Sequence, residues 1–191
     1  MNTPAHLIIG AALFAKPDRP RVNTAALAGA LLPDLSLYLL VGWALLVQRH
    51  PPEHVFGTLY FSPAWQQIFA IDNSVFVWGA VVLVGVTARS PWVWVLGASA
   101  LVHIALDFPL HHDDGRPHFW PLSNWVFDSP VSYWDPRAYG HWVGALEVLL
   151  CLGLLALLWR RFQGKIVRAL IAVSAVALVA PGLMFALMFA Q

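Results

Sequence analysis

Histidine and aspartate are the side chains best suited to hold a divalent ion or move a proton. The stretch "LVHIALDFPLHHDDGRPHFW", residues 101–120, sets His103 and Asp107 four positions apart in an apolar run. On a helix that spacing puts both on one face, a turn apart. An imidazole and a carboxylate so placed can share one divalent ion, or the carboxylate can orient the imidazole. His111 continues the same face and is a further candidate ligand, although Pro109 is expected to distort the helix before it. His112, Asp113, Asp114 and His118 surround "DDGRP", whose Asp-Gly and Pro mark a turn, and are read as solvated loop groups.

The apolar setting makes these residues unusual. Of 191 residues 59% are hydrophobic, only 11% are charged, and ten are tryptophan; mean hydropathy is +0.67. Soluble domains carry about 25% charged residues, so the composition is that of a membrane protein. A net charge of +1 without a basic stripe argues against nucleic acid as a partner. Cys151, the single cysteine, excludes an intrachain disulfide and reads as a packing residue.

The elements that must position the site are helices. A bilayer core takes about 20 apolar residues per helix, and five segments qualify: 24–48, 64–88, 91–110, 140–159 and 166–190. The opening segment, 4–15, is too short to span and reads as a half-helix whose ends protein must cover. It reads as part of the fold rather than as a signal peptide, because its positive charges follow the apolar run. The expectation is an all-α membrane protein, one domain over 1–191, with this half-helix and about five transmembrane helices in one bundle.

With the 16–21 loop on the cytoplasmic side, Lys16, Arg19, Arg21, Arg89, Arg160, Arg161, Lys165 and Arg168 fall inside, against Arg49, Arg116 and Arg137 outside. Loop 111–139 is then external. Its rings, Phe119, Trp120, Trp125, Phe127, Tyr133, Trp134 and Tyr139, suit the headgroup level; a substrate-facing role for some of them is the alternative.

Ionisable residues inside spans are expensive and face the bundle interior. Counting helical rise from the cytoplasmic charges puts Asp34, His103 and Glu147 at roughly 20 Å, Asp72 and Asp107 at roughly 25–27 Å, and His6 at roughly 15 Å. One polar site in the outer half of the bilayer accounts for that coincidence. Each residue also has a plainer reading: a lone core histidine, a Glu147 paired with His141 or a loop arginine, an Asp72–Asn73–Ser74 cluster joining helices. Asp34 follows Pro33 in "GALLPD", and broken helices at membrane depth often line polar cavities.

The pattern resembles the bacterial membrane-bound metal-dependent hydrolases of the LexA-regulated type. The likeness rests on "TPAHLIIGAALFA" with His6, on "GALLPD" with Asp34, and on His103-x-x-x-Asp107 followed by "FWPLS", Phe119 to Ser123. Those pieces span about the first two-thirds of the chain. It departs from the family at Ser36 and Leu37, where an aspartate and a histidine are usual, and at "DNS", Asp72 to Ser74, where T-H-S is usual.

The shared depth and the resemblance together lead to the expectation of an inner-membrane hydrolase with a divalent metal, zinc, held by His6, Asp34, His103 and Asp107, with His111 as a further ligand. Asp72 or Glu147 would be the general base. The substrate would be a membrane lipid or a lipid-linked ester or phosphoester reaching the site from the outer leaflet. The competing expectation is a non-enzymatic membrane protein whose buried groups relay ions or protons, or only fix helix packing.

Overall fold

A computed structural model describes residues 1–189, and no strand occurs among them. The helices are α1 (Thr3–Phe14), α2 (Pro20–Gly42, widening into a π-helical turn over Trp43–Val47), α3 (Pro52–His54, followed by a π-helical turn over Val55–Leu59), α4 (Pro63–Asp72), α5 (Val75–Thr87), α6 (Pro91–Asp107), α7 (Gly140–Arg161) and α8 (Lys165–Phe189). The expected end of the last span, residue 190, lies outside the described residues.

Among the described residues, three stretches are long and apolar enough to cross a membrane: Pro20–Val47, Pro63–Thr87 and Gly140–Arg161. Helices α1 and α6 are apolar but shorter. The stretch expected as one span over 64–88 is two helices. Ser74 ends the run by accepting hydrogen bonds from the amides of Phe76 and Val77, an N-cap that starts α5. Asn73 seals the joint by donating to the carbonyls of Phe69 and, across to α2, Pro33. The stretch expected over 91–110 stops at Asp107, just before Pro109, whose ring cannot continue the ladder.

Large side chains face outward. Leu46 is 80% exposed and Leu83 63%, an apolar exterior that water penalises and lipid does not.

Helix α6 packs against α2 and α5, α1 lies against α2 and α7, and α7 against α8. Helix α1 is tied to α7 at both ends. Glu147 accepts from the backbone N–H of Asn2 (3.2 Å) and from its side-chain amide (2.6 Å) at the N-terminal end. Arg161 donates to the carbonyls of Ala12 (2.7 Å) and Ala15 (2.8 Å) at the C-terminal end. An acid at the start and a base at the end oppose the helix dipole. They also satisfy polar groups that a twelve-residue helix would otherwise leave bare. Between them Ala5, Ile8, Ile9 and Ala12 pack with Cys151, Leu155 and Leu158.

Small residues set the α2–α6 distance. A Cβ on Gly29 would stand 2.1 Å from the Leu96 carbonyl oxygen, and Ser99 donates to the carbonyl of Ala26 at 2.6 Å. Such contacts let helix backbones approach closely. Gly29→Ala is therefore expected to lower stability by at least ~2 kcal/mol, because backbone rather than a flexible side chain must move. Gly79→Ala, with nothing within 4 Å of the added carbon, is the matched control. Thermal unfolding of both in detergent measures the difference.

Candidate metal centre

The close approach of α1, α2 and α6 brings the sequence-derived residues into contact. His6 comes from α1, Asp34 from α2, His103 and Asp107 from α6, and His111 from the segment after α6. His6 and His103 are each 1% exposed and Asp107 6%. The two imidazoles stack, centroids 3.6 Å apart and planes within 13°. Nε2 of His6 lies 2.9 Å from Asp107 Oδ1, and Nε2 of His103 lies 3.1 Å from Asp107 Oδ2. Asp34 Oδ1 is 3.6 Å from His103 Nε2, and Nε2 of His111 is 3.5 Å from Asp107 Oδ2.

Local structure orients each ring. Nδ1 of His103 lies 2.7 Å from the carbonyl oxygen of Ala30, three residues before Pro33. A carbonyl only accepts, so Nδ1 carries the proton and Nε2 of the neutral ring presents its lone pair to the carboxylates. That Nε2 is buried and makes no hydrogen bond, and neither does Nδ1 of His6. A nitrogen lone pair facing carboxylate oxygens is repulsive unless a cation lies between them. Neutral His6 can donate from Nε2 to Asp107 at 2.9 Å, so the unrelieved contact is that of His103, and either a proton on its Nε2 or a divalent cation relieves it.

The ligand atoms of His6, His103 and Asp107 lie within 4.8 Å of one another, and the group could hold a metal ion. Ligand atoms around a tetrahedral zinc are about 3.3 Å apart, close to the nitrogen–oxygen separations here. Asp34 is pinned by the Thr3 hydroxyl, which also meets the Tyr38 hydroxyl at 2.7 Å. The Met1 α-amino group lies 2.5 Å from Asp107 Oδ1.

Asp72 and Glu147, the expected proton acceptors, stand apart from this cluster. Asp72 ends α4 beside Ser36 of α2 and does not line the cavity over the centre. Glu147 is spent on Asn2. Equal depth does not imply equal azimuth around a bundle, and depth was all that joined these two to the others.

Two loop residues read as solvated are not. His118 is 5% exposed and its Nδ1 lies 3.0 Å from the Asn73 carbonyl. Asp114 lies 3.0 Å from Nδ1 of His111 and accepts from the Trp134 indole at 3.1 Å. Both follow from the loop folding back over the site, where the amide of Ser129 reaches the carbonyl of His111 and that of Tyr133 the carbonyl of Leu110. Its aromatics divide accordingly: Trp125, Trp134 and Tyr139 are exposed, whereas Tyr133 lines the cavity.

That cavity, about 110 Å³, is lined by Asp34, Asp107, His111 and Asp114 together with Tyr60 and Arg116. It has room for several waters or a compact headgroup. Burial works against charge on His111, but its contacts with Asp107 and Asp114 outweigh this and raise its pKa above the ordinary histidine value. Burial pushes Asp114 up, and contact with His111 then brings it below the usual carboxylate range. Burial and nearby carboxylates hold Tyr133 well above a free phenol, so it stays neutral and able to donate. Asp114, Arg116 and Tyr60 carried no spacing signal and were missed as site residues by sequence reasoning, whereas Tyr133 was among the rings with a substrate-facing alternative; the folded loop gathers them.

No protein-family model, no curated protein and no solved structure matches the chain.

Proposed function

We propose that this chain is a metal-dependent hydrolase of the bacterial inner membrane, a divergent relative of the LexA-regulated-type membrane-bound hydrolases it resembles in sequence. Two imidazoles and a carboxylate are a donor set that catalytic zinc sites use and that Fe(II) also accepts; zinc is the ion proposed here. The observation that carries the reading is the buried, hydrogen-bond-free Nε2 of His103 aimed at Asp107 and stacked on His6. His6, His103 and Asp107 would hold the ion, and Asp34 lies 3.6 Å from Nε2 of His103. When bound, a divalent ion lowers the pKa of water toward neutrality and polarises an ester oxygen.

The remaining work belongs to the chain. Asp34 orients the attacking water at the cavity floor. The His111–Asp114 pair handles the proton in place of Asp72 and Glu147: His111 gives a proton to the leaving oxygen while Asp114 stabilises the charged ring. The loop over the cavity limits bulk water. The substrate is a lipid or lipid-linked ester or phosphoester, reached from the side through the apolar exterior. Metal analysis of the detergent-purified protein tests the reading. About one zinc per chain supports it, and a stable metal-free protein overturns it.

Five spans, formed by α2, the α4–α5 pair, α6, α7 and α8, place the 16–21 loop in the cytoplasm and the 111–139 loop outside. In a Cys151→Ser background, Asp128→Cys is expected to react with an impermeant thiol reagent in whole cells. Gln163→Cys is expected to react only after the membrane is opened. The reverse pattern inverts the orientation, and labelling of both from outside refutes the span count.

A further inference from the structure

Arg116 is the cation of the cavity that the metal centre leaves unexplained. It is half-buried and helps wall the same cavity as Asp34, Asp107 and His111. Its guanidinium lies over two rings, 4.5 Å from the centroid of Phe69 and 5.0 Å from that of Tyr60. Its Nη2 donates to the Tyr60 hydroxyl at 2.8 Å. None of the ion pairs among the described residues includes it.

A guanidinium has five N–H donors in a rigid plane, and this one makes a single hydrogen bond, to Tyr60. Holding a long cation still against two aromatic rings without a carboxylate partner leaves its fork open to a ligand. The carboxylates of Asp34, Asp107 and Asp114 line the same cavity, so a cation held by the metal centre and Arg116 would both reach its space. A tetrahedral anion can meet both: one non-bridging oxygen faces the metal side, and two more accept from the guanidinium fork.

We propose that Arg116, positioned by Tyr60 and Phe69, is the phosphate-binding residue of this site, and that the ligand is a phosphoester rather than a neutral carboxylic ester. This rests on the metal-dependent reading above for catalysis, but phosphate binding is measurable apart from it. The guanidinium touches the substrate phosphoryl oxygens. The planar fork and the ring stacking also explain why arginine, and not lysine, stands here.

The test uses the full chain in phosphatidylcholine nanodiscs, with and without added zinc, titrated calorimetrically with inorganic phosphate and, separately, with acetate. Wild-type protein is expected to bind phosphate more tightly than acetate. Arg116→Gln is expected to weaken phosphate binding at least ~10-fold, the loss of a charge-assisted contact, with zinc content unchanged. Arg116→Lys is expected to recover only part of the affinity. Arg137→Gln, which removes an equal charge from an arginine already paired to Asp135 in the same loop, is expected to have no effect.

Equal phosphate affinity in Arg116→Gln and wild type overturns the proposal even if zinc is present, as does equal affinity for acetate and phosphate. Arg116-dependent phosphate binding by a chain that takes up no zinc leaves this proposal standing and removes the metal mechanism. Discs doped with phosphatidic acid identify the source. Competition with free phosphate assigns the site to a lipid headgroup, and absence of competition assigns it to a soluble phosphoester.

Discussion

Zinc is expected to be lost from the purified protein when either His103 or Asp107 is removed. Disturbing a group that only orients a metal ligand weakens binding about 10–100-fold, so His103→Ala and Asp107→Asn are expected to cost more than ~100-fold. Asp107 meets both imidazoles, one through each carboxylate oxygen. Its amide variant keeps the size but replaces one acceptor with a donor facing a nitrogen. His6→Ala follows the same course, because its Nε2 has no partner other than Asp107. A role confined to packing predicts something else: all three variants melt at lower temperature and wild-type protein contains no metal. Metal content and melting temperature, measured together, separate the two.

The second large effect is on turnover. His111→Gln is expected to reduce kcat against chromogenic phosphoesters by about 100- to 1,000-fold, the usual contribution of a positioned acid–base group, while zinc stays bound. Asp114→Asn is expected to act in the same direction, since Asp114 is the carboxylate that holds the ring from its Nδ1 side. Parallel loss of zinc in His111→Gln would make His111 a metal ligand, as its place one turn beyond Asp107 also allows. Asp72→Asn and Glu147→Gln are expected to leave both zinc and kcat unchanged. A large loss of turnover in Asp72→Asn alone would return the base to α4 and refute the His111–Asp114 assignment.

Much of the centre was legible before any coordinates. His103 and Asp107 meet because an i, i+4 spacing on a helix leaves them little choice. His6 and Asp34 were drawn in by depth, and they do arrive. Asp72 and Glu147 had the same credential and lie elsewhere. Helical rise gives position along the bundle axis, but the angle around the axis depends on which helices touch. That choice is made by Gly29, Ser99 and the other small residues between α2 and α6.

The loop was read least well. Turn residues correctly mark "DDGRP" as irregular chain, yet irregular is not the same as solvated. His118 and Asp114 are held by backbone carbonyls, an indole and an imidazole from distant positions, contacts with no periodicity to read.

The sequence by itself determined the class of structure: apolar helices, a short first helix, and a histidine–aspartate pair on one helical face. These follow from local rules, in which composition, hydrophobic run length and helical period act over a few turns. The tertiary structure alone decided that Glu147 and Arg161 cap α1, that Asn73 ties the break in the 64–88 stretch to Pro33 of α2, and that Arg116 lines one cavity with the carboxylates. Each of those joins residues far apart in the chain, and what selects them is the packing of helix against helix, because a buried polar group must find a partner wherever the fold happens to bring one.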